Sequence, residues 1–262
     1  MGDCLELVPL RFVFAAQEEI RFPAGKAGNT LRGALGTILR PVERAGMGGP
    51  SGWRAGPRGF VFRARHLDGR RVEAGEEFSF DVHLFDVAAV DGLVEAFGKL
   101  EALGARRGRV EFRRVTGRPL RLELEGTEAV NRLRVRFVTP TELKSGERVV
   151  ERPEFGILAV RVRDRISALR ERYGPGPLWI DFRGFGERAS RVEMTRCAVE
   201  WREVERRSSR TGQRHSIGGF VGEAEYEGEL REFVPYLRAA EWTGVGRHTV
   251  WGNGEIAVDV QK

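Results

Sequence analysis

Apolar residues along this chain switch between two-residue and 3.6-residue periodicity, and the order of switches occurs twice. Leu5–Phe14 reads as a strand in which Leu10, Phe12 and Phe14 alternate against Arg11 and Val13. A turn at 23–26 leads into a helix with apolar positions at Leu31, Leu35, Ile38, Leu39 and Val42. Asn29 or Thr30 is its expected N-cap, and Arg32, Arg40 and Arg44 point off its apolar face. An irregular Gly/Pro-rich loop, 46–59, precedes strands around Phe60–Arg65 and Phe78–Phe85. A second helix, Asp91–Leu103, turns Leu93, Phe97 and Leu100 inward; strands around Val110–Val115 and Leu120–Leu124 close the half.

The second half repeats the order. Leu133–Val138 reads as a strand and 139–153 as a loop, followed by a helix with Leu158, Val162, Ile166, Leu169 and Tyr173 on one face. Strands follow around Ala198–Arg202 and Phe220–Tyr226, then a helix from about Leu230 presenting Phe233, Val234 and Leu237. A glycine-rich segment leads to a last strand, Glu255–Val260. Each half is β-α-β-β-α-β, the ferredoxin-like arrangement. The expected fold is α+β: two tandem ferredoxin-like (RRM-like) domains, 1–127 and 128–262, divided near Gly126–Asn131.

No apolar run approaches the ~20 residues that span a bilayer, and the first residues lack a signal-peptide pattern, so a cytoplasmic location is expected. Cys4 and Cys197 have no metal-ligand spacing, and His66, His83, His215 and His248 are scattered. No metal or cofactor is expected. The net charge of +6 is compatible with a polyanionic partner. Its cations are almost all arginine, the only lysines being Lys26, Lys99, Lys144 and Lys262. Arginine pairs with phosphate and stacks on bases, though a GC-rich coding bias accounts for such usage equally well.

Two segments carry candidate chemistry. In 242–255, Gly244-Val245-Gly246 and Gly252-Asn253-Gly254 flank Arg247, His248 and Trp251. Closely spaced glycines let a backbone approach another chain and expose N–H groups to anions. A tight turn needing glycine only for positive φ is the other reading. In 206–222, Arg206, Arg207, Arg210, Arg214 and His215 lie in a polar stretch that opens onto Gly218-Gly219. It suits a phosphate backbone; a solvated hairpin that touches nothing is the alternative.

Leu31–Gly36, Phe137–Lys144, Gly218–Gly222 and the two glycine triplets, in that order and spacing, resemble the RAMP-superfamily endoribonucleases that process CRISPR repeat RNA. The resemblance covers nearly the whole chain and is strongest from about Arg210 onward. It implies two ferredoxin-like domains and a glycine-rich loop on RNA. It also implies metal-independent cleavage, in which a ribose 2′-hydroxyl attacks the adjacent phosphate to leave 2′,3′-cyclic phosphate and 5′-hydroxyl ends. The implied partners are CRISPR repeat RNA in the precursor transcript, other CRISPR-associated proteins and a second copy of the chain.

That reaction needs groups that move protons and cations that stabilise the phosphorane. Many members of the resembled family place a histidine on or just after the first helix, whereas 36–44 here contains none. His215, in the basic stretch, is the first candidate, with Arg32 and Arg40 clamping the phosphate; His248 is second. Expected RNA contacts are Arg210, Arg214, Gly218, Gly219, Gly244, Gly246, Arg247, His248, Trp251, Gly252 and Gly254. His83 lies in an apolar strand and reads as structural, His66 as a surface residue. Glu223, Glu225, Glu227 and Glu229 read as a solvated edge that discourages wrong pairing. A catalytically silent repeat-RNA binder, or a structural RAMP subunit of an effector complex, is the competing expectation.

Overall fold

A computed structural model describes residues 3–38, 57–203, 205–207, 214–216 and 218–261. The first half contains β1 (Cys4–Ala16), α1 (Ala27–Ile38), β2 (Phe60–Arg63), β3 (Glu77–Leu84), α2 (Val90–Gly98) and β4 (Gly108–Thr116). The second contains β5 (Arg132–Thr141), α3 (Phe155–Tyr173), α4 (Phe182–Ala189), β6 (Glu193–Arg202), β7 (Gly219–Glu227), α5 (Val234–Thr243) and β8 (Ile256–Gln261). The chain is α+β, with antiparallel sheets ordered β2-β3-β1-β4 and β6-β7-β5-β8. In both, the first and third strands of the half occupy the centre.

The alternation seen in sequence becomes the core. In the β1–β3 pairing, Leu10 faces Val82, Phe12 faces Phe80 and Phe14 faces Phe78. Phe12, Phe62 and Phe80 all lie against Phe97 of α2, with centroids 4.7 to 6.3 Å apart. The second sheet buries Leu133, Val135, Phe137, Ala224 and Tyr226 with Leu158, Val162, Ile166 and Leu237. Leu5, Leu7, Val61 and Phe85 come from the first half but pack into this second cluster. Arg170 of α3 adds an ion pair to Asp3 at 2.6 Å. The halves therefore share one apolar junction.

Several boundaries differ from the sequence reading. α1 begins at Ala27, ahead of Asn29 and Thr30, because its first N–H is satisfied from elsewhere: Ala27 N donates to Asp68 Oδ1 at 2.8 Å. Burial raises the Asp68 pKa, and the hydrogen bonds from Ala27 and Lys26 oppose that rise. α2 stops at Gly98, and residues 102–103 pair with β4 instead of extending the helix. Residues 120–123 form a short strand that pairs with the start of β1. Within 139–153, β5 continues to Thr141, and 144–145 pairs with 148–149. α5 starts at Val234, a few residues after the expected Leu230. α4 was not foreseen; Asp181 caps it by accepting from Gly184 N at 2.9 Å.

The glutamates of β7 are a correction. β7 is an interior strand, not an edge. Glu223, Glu225 and Glu227 stand opposite Arg136, Arg134 and Arg132 of β5, and Arg134 and Arg132 bridge to Glu225 and Glu227. Arg196 of β6 lies within 3.6 Å of both Glu223 and Glu225. Cross-strand pairing of opposite charges, rather than edge protection, explains the alternation.

Candidate functional site

The site is built around the C-terminal end of α5, whose last carbonyls have no partner within the helix. Side chains from both halves supply donors. Arg63 of β2 donates Nη2 to Glu241 O at 3.0 Å and Trp242 O at 3.3 Å. Arg165 of α3 donates Nε to Thr243 O at 2.9 Å. His83 of β3 shares Trp242 O through Nδ1 at 2.9 Å, and its ring lies 4.9 Å from the Trp242 ring. A carbonyl only accepts, so Nδ1 carries the hydrogen in this bond. The sequence reading of His83 as structural fits this placement.

Burial, with the nearby Arg63 charge, pushes the His83 pKa down to about 4. Above its unfolded value of ~6.5, neither state binds the proton and the contribution is complete. As pH falls from about 6.5 towards 4, the unfolded chain takes the proton first and stability falls, by up to ~3 kcal/mol for this shift. Urea melts at pH 7.5 and 4.5 should show the parent losing about 2–3 kcal/mol more than His83→Gln. Equal losses would show that His83 does not carry this dependence.

The glycine-rich loop follows α5 directly and folds back on itself. Val245 N donates to Gly254 O at 2.9 Å, and Gly254 N donates to Pro140 O at 3.0 Å. Gly254 has φ +71°, and a Cβ there would run into the Val245 carbonyl. Gly246, at φ +79°, leaves no room for a Cβ beside the Glu142 carbonyl. Thr139 Oγ1 binds Gly252 O and accepts from Glu255 N, each at 2.9 Å. Glu142 then holds the loop's charged tip. Its backbone O accepts from Arg247 N at 3.0 Å, and its buried carboxylate pairs with Arg247 Nη1 at 2.5 Å and faces His248 Nε2 at 3.5 Å. His248 stacks on Trp251 with centroids 5.0 Å apart. The glycines are thus required by the turn, and the loop is rigidly tied to the end of β5.

The loop also meets the first half. A Cβ on Gly28 of α1 would overlap the Trp251 carbonyl, and Gly252 lies beside Phe62 O of β2. On the other flank, Gly219 begins β7 so close to Thr141 that a Cβ would sit 2.5 Å from its backbone. The segments 205–207 and 214–216 pair as a ribbon that continues from β6 and β7 at this same end of the sheet, with Arg206 opposite His215. Arg214 and His215 therefore stand on a paired strand rather than in a loop. Arg32 lies on α1 with its guanidinium 5.8 Å from the Phe60 ring centroid. Arg40 and Arg210 fall outside the described residues. The four segments that carried the resemblance, scattered through the sequence, meet at one end of the second sheet against α1.

Gly28, Arg63, Arg165, Thr139 and Glu142 were not singled out from sequence as site residues. Glu142 lay within a quoted segment, but nothing local marks an acid that will hold Arg247 and His248 about a hundred residues later. His66 is exposed, its Nε2 2.8 Å from Ser79 O, as a surface residue should be. Among the described residues no three His, Cys, Asp or Glu side chains cluster as metal ligands, and no helix is long and apolar enough to cross a membrane.

The chain is thus α+β, with two antiparallel sheets and a glycine loop set on an arginine-lined junction. Residues 135–256 match the family model described as CRISPR-associated endoribonuclease Cas6. That match covers a little under half of the chain, within its second half. Among solved structures, it superposes on Thermus thermophilus Cas6 with a TM-score of 0.62 at 16% identity, covering 99% of this chain and 100% of that one. A Cas6 product complex gives 0.63 at 20% identity, with 97% and 100% covered. A chain of a partial Cas6-RT-Cas1–Cas2 complex gives 0.63 at 11%, with 98% of this chain and 46% of that one covered. At such identities these likenesses establish the fold. No curated protein matches the sequence.

Proposed function

We propose that the chain binds CRISPR repeat RNA in the precursor transcript and cuts it without a metal, by 2′-hydroxyl attack that leaves 2′,3′-cyclic phosphate and 5′-hydroxyl ends. The match of residues 135–256 to the Cas6 endoribonuclease model supports pre-crRNA processing in general. The finer reading rests on one observation: α1, the 139–142 segment, the base of the basic ribbon and the glycine loop adjoin one another. Two ferredoxin-like domains, 1–127 and 128–262, frame this region. RNA contacts are assigned to Arg210, Arg214, Gly218, Gly219, Gly244, Gly246, Arg247, His248, Trp251, Gly252 and Gly254. His215 serves as the proton-transfer residue, with Arg32 and Arg40 on the phosphate.

The absence of histidine from 36–44 favours a second reading, a repeat-RNA binder that does not cut. Incubating the protein with cognate repeat RNA in EDTA separates the two. Cleavage to a cyclic-phosphate end is expected, and a 2′-deoxy residue at the scissile position should abolish it while binding persists. Tight binding with no cut in any repeat would leave only the second reading. Assembly with other CRISPR-associated proteins, and with a second copy of the chain, belongs to the same proposal.

A further inference from the structure

Arg63 and Arg165 present a problem that the RNA reading does not use. Both guanidiniums grip the end of α5 through neighbouring carbonyls, Arg63 at residues 241 and 242, Arg165 at residue 243. One comes from β2 of the first half and the other from α3 of the second. Arg63 Nη1 and Arg165 Nη2 are sealed from solvent and have no hydrogen-bond partner. No ion pair involves either residue among those described, although Glu255 acts on Arg63 from a distance. Burial and the neighbouring Arg63 charge push Arg165 down to about 9. Two like charges thus sit close together, one orphaned donor each, where charges are normally paired.

We propose that this junction is an anion site, in which one small oxyanion of the phosphate type bridges Arg63 Nη1 and Arg165 Nη2. Such an ion accepts both orphaned N–H groups and offsets the mutual repulsion, whereas a water would satisfy the donors and leave the charge. Guanidinium is suited to it, because its planar fork matches an oxyanion. The residues come from separate halves, so the ion would tie the halves together near Gly244, where a Cβ would lie 3.6 Å from Arg63 Nη2. The anion could be drawn from free phosphate or be a phosphodiester of bound RNA; the chemistry recognised is the same. The inference does not depend on whether the chain cuts RNA.

Equilibrium dialysis of the full chain against radiolabelled inorganic phosphate tests it, alongside thermal melting in phosphate and in chloride of equal ionic strength. About one phosphate per chain should be retained, and the melting temperature should climb with the logarithm of phosphate concentration once the site fills. Arg165→Met should lose both effects, and Arg165→Lys, which keeps the charge but not the fork, should weaken retention at least ten-fold. The lysine variant also serves should the methionine variant fail to fold. Adding 2′-deoxy repeat RNA distinguishes the sources: displaced label assigns the site to an RNA phosphodiester, retained label to a free ion. No stoichiometric retention by the parent, or equal retention by the parent and the lysine variant, would overturn the proposal.

Discussion

Gly28→Ala is expected to destabilise the protein by about 1–3 kcal/mol and to weaken repeat-RNA binding at least ten-fold. Helix propensity alone argues the opposite, since alanine in a helix interior is favoured over glycine by about 1 kcal/mol. Gly28, however, faces the glycine loop. A Cβ there would overlap the Trp251 carbonyl, with the carbonyl carbon 2.7 Å away, and this neighbour is backbone that no rotamer change can move. Either α1 tilts or the 249–252 turn lifts, and the loop then loses its seat on the first half. Gly33→Ala supplies the control. It lies in the same helix with nothing within 4 Å of a Cβ, so the propensity gain should appear undiminished. Denaturant melts of the two variants, with RNA affinity measured on each, decide the matter. Should Gly28→Ala prove as stable as Gly33→Ala, the packing of α1 on the loop is not as described.

This contrast marks what could be read from the sequence. Phe12, Phe14, Phe80 and Phe137 announced themselves because each strand's alternation is set by its own face of the sheet, and those residues are buried as expected. Period shows a face but not a strand's place in the sheet, which is why Glu223, Glu225 and Glu227 read as an edge and proved to be a charge ladder on an interior strand. Features that depend on a distant neighbour left no local trace. Asp68 caps α1 across 41 residues, and Glu142 reaches Arg247 across 105. α4 escaped because eight residues containing two glycines carry little helical signal, and its stability comes from the Asp181 cap and burial of Phe185. The candidate site was legible as four segments; their meeting place was not.

The largest effect is expected at His215, where replacement by alanine should slow cleavage of repeat RNA by about 10²–10⁴-fold with affinity unchanged. The chain has four histidines. His83 is kept neutral by burial and bonded to Trp242 O, and exposed His66 is engaged by Ser79 O, so neither is placed for proton transfer at the loop. His248 is tied to Glu142 and stacked on Trp251, so His248→Ala should loosen the loop and cost affinity as well as rate. His215 stands on the ribbon opposite Arg206, in a basic stretch of the sequence. An imidazole titrating near ~6.5 can take the 2′-hydroxyl proton or protonate the leaving oxygen. Single-turnover rates against pH, paired with filter-binding affinities, separate the two histidines. His215→Ala should remove a limb of the pH–rate profile and leave binding intact. A rate within a few-fold of the parent would take His215 out of the reaction and turn attention to arginines acting on the phosphate by charge alone.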